Sequence, residues 1–203
     1  MEFLVDMTTH VPDGTAPDAV DEVRAREAAH SRELARDGHL VRLWRPPLQP
    51  GEWRTLGLFA TADGDALEGV LASMPLRVWR TDHVTALSTH PNDPLHGGTT
   101  PGSLDGPEFL ITMTITVPPA TPADVVADKA AREAARAREL AEQAHLQRLW
   151  ALAPEPGRRR TLGLWRAHDD GEMAAIVEAL PLHPWMNVET TPLTAHPSDP
   201  ALQ

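Results

Sequence analysis

Cysteine and tyrosine are both missing from the 203-residue chain. The first absence removes disulfides, thiolate nucleophiles and cysteine-bound zinc. The second removes a phenol as acid or base. Lysine occurs once, at Lys129, which argues against Schiff-base chemistry. No apolar run approaches the roughly 18 residues of a membrane helix, and the N-terminus lacks the charged-then-apolar order of a signal peptide. A net charge of −11 argues against nucleic acid or an anionic membrane as a partner. These absences lead us to expect a cytoplasmic protein with a small-molecule substrate, no nucleic acid and no membrane. No His-x-x-x-His spacing, Gly-x-Ser-x-Gly elbow or phosphate loop occurs, so neither a metal, a serine-hydrolase site nor a bound nucleotide is expected.

What the chain does contain, it contains twice. Residues 2–94 align with 108–200 without a gap, and 41 of the 93 paired positions are identical. Two copies of a unit this long mean tandem duplication of one fold rather than a solenoid. The expected organisation is therefore one unit over 1–94 and another over 108–203. Between them, 95–107 is rich in glycine, proline and threonine and reads as a connector.

Each repeat opens with an alternating strand. Phe3, Val5 and Met7 mark it in the first copy, and Phe109, Ile111 and Met113 in the second. A long helix follows, with Asp18 and Asp124 as candidate N-caps. Next come a strand at His39–Trp44 or His145–Trp150, a turn at Pro50-Gly51 or Pro156-Gly157, and a third strand. A shorter helix stopped by Pro75 or Pro181 and a last strand complete the order βαββαβ. That is the ferredoxin-like plan, an α+β fold with antiparallel sheets. Two such units in one chain predict an intrachain pseudo-dimer.

The long helix carries the first candidate for chemistry. At helical spacing, Val20, Val23, Glu27, Ser31 and Leu34 form one stripe, and Val126, Ala130, Glu133, Ala137 and Leu140 repeat it. A carboxylate on such a stripe is a general base with its pKa raised by desolvation, or a rim acid paired with an arginine. Arg42 and Arg148 lie among apolar residues of the second strand. They suit a substrate carboxylate, or a structural partner such as Glu27 or a backbone carbonyl. His39 and His145 begin that strand and are candidates for substrate contact or for capping carbonyls. Trp44, Trp150, Trp79 and Trp185 are pocket walls or core. His90 and His196 stand in Thr-His-Pro-Asn-Asp-Pro and Ala-His-Pro-Ser-Asp-Pro. These proline-locked turns either close over a neighbouring pocket or end the sheet.

Several stretches taken together resemble the muconolactone Δ-isomerase family. They are Phe3-Leu4-Val5-Asp6-Met7-Thr8, Glu27 in the long helix, Arg42-Leu43-Trp44-Arg45, Leu180-Pro181-Leu182-His183-Pro184-Trp185-Met186 and His196-Pro197-Ser198-Asp199. The resemblance implies a cofactor-independent ferredoxin-like fold, with one unit per chain assembled into a decamer. It implies an enzyme that moves a proton within an unsaturated lactone in aromatic-ring catabolism. The family's glutamate base falls on Glu27 and Glu133. A homo-oligomer of the fused chain follows, five chains replacing ten.

The chain departs from the family's histidine-aromatic-x-asparagine stretch, having Gly51-Glu52-Trp53-Arg54 and Gly157-Arg158-Arg159-Arg160 there. It also has Arg77-Val78-Trp79-Arg80 where the second repeat keeps His183-Pro184-Trp185-Met186. These departures point to a different lactone or enone, in catabolism or natural-product biosynthesis. Two readings of other kinds stay open: a cyclase or lyase acting on a natural-product intermediate, and a non-catalytic small-molecule-binding module.

Overall fold

The computed structural model describes residues 1–96 and 104–202. Most of the expected connector, residues 97–103, lies outside the described residues. The elements are β1 (Glu2–Thr9), α1 (Pro17–Arg36), β2 (Leu40–Arg45), β3 (Arg54–Ala60), α2 (Gly64–Ser73) and β4 (Arg80–Thr89). The second set is β5 (Glu108–Ile115), α3 (Ala123–Glu142), β6 (Leu146–Ala151), β7 (Arg159–Arg166), α4 (Asp170–Glu178) and β8 (Met186–Ala195). Both sets follow the order βαββαβ, and all strand pairs are antiparallel. The fold is α+β and ferredoxin-like.

In the first unit β1 is central, flanked by β3 and β4, and β2 lies beyond β3. Alternation in β1 sends Phe3, Val5, Met7 and Thr9 inward. Phe3, Val5 and Met7 share a core with Leu34 of α1 and Leu67 and Leu71 of α2, so both helices pack on one face of the sheet. The second unit repeats this. Phe109, Ile111 and Met113 meet Leu140 of α3 and Met173, Ile176 and Val177 of α4.

Asp18 and Asp124 are not the N-caps that the sequence suggested. Ala16 and Pro122 occupy those positions, and the two aspartates lie inside the first turns of α1 and α3. Proline at position 17 already supplies the fixed φ of a helix start, and the acids contribute through the helix dipole instead. The side-chain caps belong to the shorter helices. Asp63 accepts the Ala66 N–H at 2.9 Å and Asp169 the Glu172 N–H at 2.8 Å.

The compact units differ from the sequence repeats at their ends. One comprises residues 1–87 with 194–203, the other 88–193. The reason lies in the length of the last strands. Ser88 and Thr89 pair with Ala151 and Trp150 of β6 within the second unit. Thr194 and Ala195 pair with Arg45 and Trp44 of β2 within the first. Each unit is thus finished by the end of the other repeat. Among the described residues no helix is long and apolar enough to cross a membrane.

Glycine is required at one place in β7. A Cβ on Gly163 would stand 2.1 Å from Nε1 of Trp165, a ring only 2% exposed. With so little of the ring exposed, Gly163→Ala is expected to cost about 1–3 kcal/mol by overpacking. Urea denaturation of the variant measures this, and wild-type stability would show that the Trp165 ring has room to yield.

Candidate functional site

Each unit has a partly open cavity walled by the sheet, the long helix and the finishing segment, with the stripe glutamate on its wall. In the first unit the cavity is about 370 Å³. Arg24, Glu27, Arg45, Trp53, Arg80 and His196 are its principal polar and aromatic lining. In the second it is about 240 Å³, with His90, Glu133, Arg159, Trp165, Leu182 and Met186 in the corresponding wall.

Local sequence fixes each glutamate. Pro75 and Pro181 end the preceding helices, and the chain then tightens into 3₁₀ turns at Pro75–Trp79 and His183–Trp185. The first N–H after each proline has no partner within its own turn. Glu27 Oε2 accepts the Leu76 N–H at 2.8 Å, and Glu133 Oε2 accepts the Leu182 N–H at 3.0 Å. Burial pushes the proton affinity of both carboxyls above the usual carboxylate range. The backbone N–H offsets this in part, as do Arg80 beside Glu27 and Lys129 near Glu133.

The surroundings of the two acids then diverge. Arg80 donates to Glu27 Oε1 at 3.3 Å, with its own side chain 2% exposed. Asp82 grips the same guanidinium at 2.6 and 3.1 Å and also takes Arg77, which reaches on to Glu68 at 2.7 Å. In the second unit Met186 and Val188 stand at the positions of Arg80 and Asp82, so the network has no counterpart. Lys129 instead donates to the Pro181 carbonyl at 3.0 Å and lies 5.2 Å from the Trp185 ring centroid. Arg24 stacks 5.3 Å over Trp53 at the first cavity. The matching pair in the second unit is Ala130 and Arg159.

The family model for muconolactone delta-isomerase matches residues 1–93 and again 108–199. The chain belongs to the muconolactone delta-isomerase family. Muconolactone Delta-isomerase 1 of Acinetobacter lwoffii is 33% identical over 92 residues, covering 45% of this chain and 93% of that protein. The enzyme of the same name from Cupriavidus pinatubonensis is 30% identical over 92 residues, covering 45% and 97%. A solved haem-binding protein from Thermus thermophilus superposes with a TM-score of 0.61 at 13% identity, covering 98% of this chain and 93% of that one. That likeness is one of fold alone.

Within this muconolactone delta-isomerase frame, Glu27 and Glu133 lie on cavity walls, but most of the other candidates do not. Arg42 and Arg148 line neither cavity. The Arg42 guanidinium makes a two-pronged contact with Asp199, Nε at 3.1 Å and Nη2 at 3.0 Å, and lies 4.8 Å over Trp44. Arg148 donates to Asp93 at 3.3 Å and lies 4.7 Å over Trp150. The physical reason is a register shift between Leu40 and Arg42, repeated between Leu146 and Arg148. With simple alternation broken, Leu40 and Leu43 both enter the helix-covered core, and the arginine turns to the other face.

His39 and His145 donate from Nδ1 to the carbonyls of Ala60 and Arg166, at 3.3 and 2.9 Å. They close the helix-to-strand corner and stay outside the cavities. Trp44 and Trp150 are core, while Trp79 and Trp185 are half-buried as the last residues of the 3₁₀ turns. Among the described residues no group of three or more histidine, aspartate or glutamate side chains is placed to hold a metal.

The residues that sequence reasoning passed over are Arg24, Arg45, Trp53 and Arg80, with Arg159 and Trp165 in the second unit. Arg24 had a usable signal, since it precedes Glu27 by one helical turn. Arg80 had none, because its contact with Glu27 depends on how the 3₁₀ turn meets α1.

Asp199 is fully buried, and beyond Arg42 it accepts the Leu43 N–H at 3.1 Å. Asp93 treats the Leu149 N–H in the same way at 3.0 Å. Removing one member of a buried pair costs about 3–5 kcal/mol. Asp199→Ala is accordingly expected to lose stability on that scale in urea unfolding. A loss under about 1 kcal/mol, the value of an exposed pair, would show that the clamp is dispensable.

Proposed function

We propose that the chain is a cofactor-independent isomerase that shifts a proton within an unsaturated lactone or a related enone, with Glu27 and Glu133 as bases. The observation that carries this reading is a half-buried carboxyl on the wall of a cavity, tethered through one oxygen by a single N–H, in both units of a muconolactone delta-isomerase family member. The tether fixes the carboxylate's position, and burial keeps it basic enough to take a carbon-bound proton near neutral pH. A proton next to the conjugated carbonyl passes to the carboxylate and leaves a dienolate. The same carboxyl returns it to another carbon, so no net charge or atom is gained.

In the first unit Arg24 and Arg45 supply positive charge at the cavity, which suits a substrate that carries a carboxylate. The second cavity is smaller and has Arg159, which suits a less charged or smaller ligand. A non-catalytic carrier would leave its acid neutralised. Glu27 meets Arg80 at 3.3 Å, yet burial still outweighs that arginine in its proton affinity. The same reading carries a cytoplasmic homo-oligomer of the fused chain.

Incubation with muconolactone and a panel of unsaturated lactones and enones in D₂O is expected to place deuterium on ring carbons. Glu27→Gln together with Glu133→Gln is expected to lower exchange by about 10²–10⁴-fold, the usual worth of a positioned base, with thermal unfolding unchanged. Undiminished exchange in the double variant would remove both glutamates from the reaction.

A further inference from the structure

The two His-Pro-x-Asp turns do more than end the sheet, and their geometry is the same in both units. In each, the aspartate N–H returns to the histidine carbonyl, at 3.0 Å for Asp93 and His90 and 2.8 Å for Asp199 and His196. Proline at the second position presets the φ that such a turn needs. The N–H of the third residue then points at the ring. Asn92 donates to His90 Nδ1 and Ser198 to His196 Nδ1, both at 3.1 Å.

A backbone N–H can only donate, so each Nδ1 must accept through its lone pair. A neutral ring with an unprotonated Nδ1 carries its hydrogen on Nε2. An imidazolium would set an Nδ1–H against the Ser198 or Asn92 N–H. The turn thus selects one tautomer and disfavours the charged ring.

Position is fixed as firmly as protonation. The Asp199 clamp on Arg42 and the Leu43 N–H holds one end of the turn, and the His196 N–H donates to the Leu43 carbonyl at 3.1 Å. Asp93, on Arg148 and the Leu149 N–H, anchors the turn that carries His90. The histidines so held line the cavities of Glu27 and Glu133 respectively.

Burial is the leading influence on both rings and favours the neutral form, while the charged groups around them are divided. For His196, burial and the Arg45 guanidinium, with Arg24 beyond, outweigh Asp199 and bring its pKa down to about 4; Glu27, Asp21 and Arg80 are the other charged groups of that cavity. For His90, burial leads, Asp93 opposes and Arg159 assists, and the pKa falls below the ordinary value. Glu133 shares that cavity.

We propose that His196 and His90 are catalytic hydrogen-bond donors: neutral imidazoles whose Nε2–H meets the lactone or enone oxygen as negative charge develops on it. The inference rests on the isomerase reading above and deepens it. As Glu27 takes the carbon-bound proton, the electron pair moves onto the carbonyl oxygen, and His196 stabilises that oxyanion without giving up its own proton. A neutral donor suits this role, since it cannot protonate the intermediate and divert it from returning to the carbon framework. The base and its donor come from different repeats: Glu27 works with His196, and Glu133 with His90.

Two measurements test this. The first is solvent-deuterium exchange in single-site backgrounds. With Glu133→Gln silencing the second unit, His196→Phe is expected to lower turnover by about 10²–10³-fold, the usual worth of an oxyanion donor. His196→Gln, which keeps an N–H, is expected to recover part of that loss. His90→Phe is expected to do the same in the Glu27→Gln background. The second is long-range ¹H–¹⁵N NMR of the wild-type protein, independent of activity and of variant folding. It should show the hydrogen on Nε2 in both neutral rings, with His196 neutral from pH 5.5 to 8 and His90 predominantly neutral from pH 7 to 8. Full turnover in His196→Phe, or a charged or Nδ1–H ring in those ranges, overturns the inference alone. Absence of exchange with every lactone and enone in wild type overturns the isomerase reading, and this inference with it.

Discussion

A carboxylate taken out of water needs a partner, and in each unit Glu27 or Glu133 is given one backbone N–H, with Arg80 added at 3.3 Å on the other oxygen of Glu27. That economy governs the site. Full solvation would leave an ordinary surface acid, and full pairing would leave a structural one. The donor is available because a proline ends the short helix and the next N–H finds no acceptor in its own turn. Helix termination, 3₁₀ geometry and the placement of the carboxylate are therefore one local event, set by Pro75-Leu76 and Pro181-Leu182. The long helix presents the acid, and the sheet and finishing segment enclose it.

Duplication left two copies of this arrangement that have since been surrounded differently. Around Glu27 the chain built a charged network, Arg80 with Asp82 and Arg77 with Glu68. Around Glu133 the matching positions are Met186, Val188 and His183. Arg80 and Asp82 are both replaced by apolar residues at the matching positions, so neither unit holds one member of the buried ion pair without the other. Where the first unit has Arg24 with Trp53 the second has Ala130 with Arg159, a cation on the strand in place of one on the helix. The tether to the glutamate and the histidine turn are the parts that both units hold in common. Shared groups suit shared proton chemistry, and divergent walls suit divergent ligands.

Much of this was legible in the sequence because periodicity and proline act locally. The gapless repeat exposed the two units, alternation exposed β1 and β5, and helical spacing placed Glu27 and Glu133 on the inward stripe. Family membership rested on motifs spread over both repeats. Arg42 and Arg148 went astray because a one-residue register shift reverses every facing assignment after it, and nothing in Leu40-Val41-Arg42 marks that bulge. Asp93 and Asp199, their actual partners, lie far along the chain from them. The unit boundaries moved for a related reason. Strands β4 and β8 run beyond their own sheets, and the repeat alignment carries no trace of where a strand changes partner. The His-Pro-x-Asp turns were visible as a pattern, but only coordinates show their rings facing the glutamates' cavities.

The central claim is that Glu27 and Glu133 are positioned yet under-compensated, so that each remains a base. The most direct measurement is a ¹³C-carboxyl NMR titration of the glutamates, with Glu27→Gln and Glu133→Gln used to assign the two signals. Both carboxyls are predicted to titrate above the roughly 4.3 of an unperturbed glutamate, because desolvation exceeds what the N–H and the nearby cations return. Midpoints at or below that value would mean that the acids are fully paired, and would contradict the account.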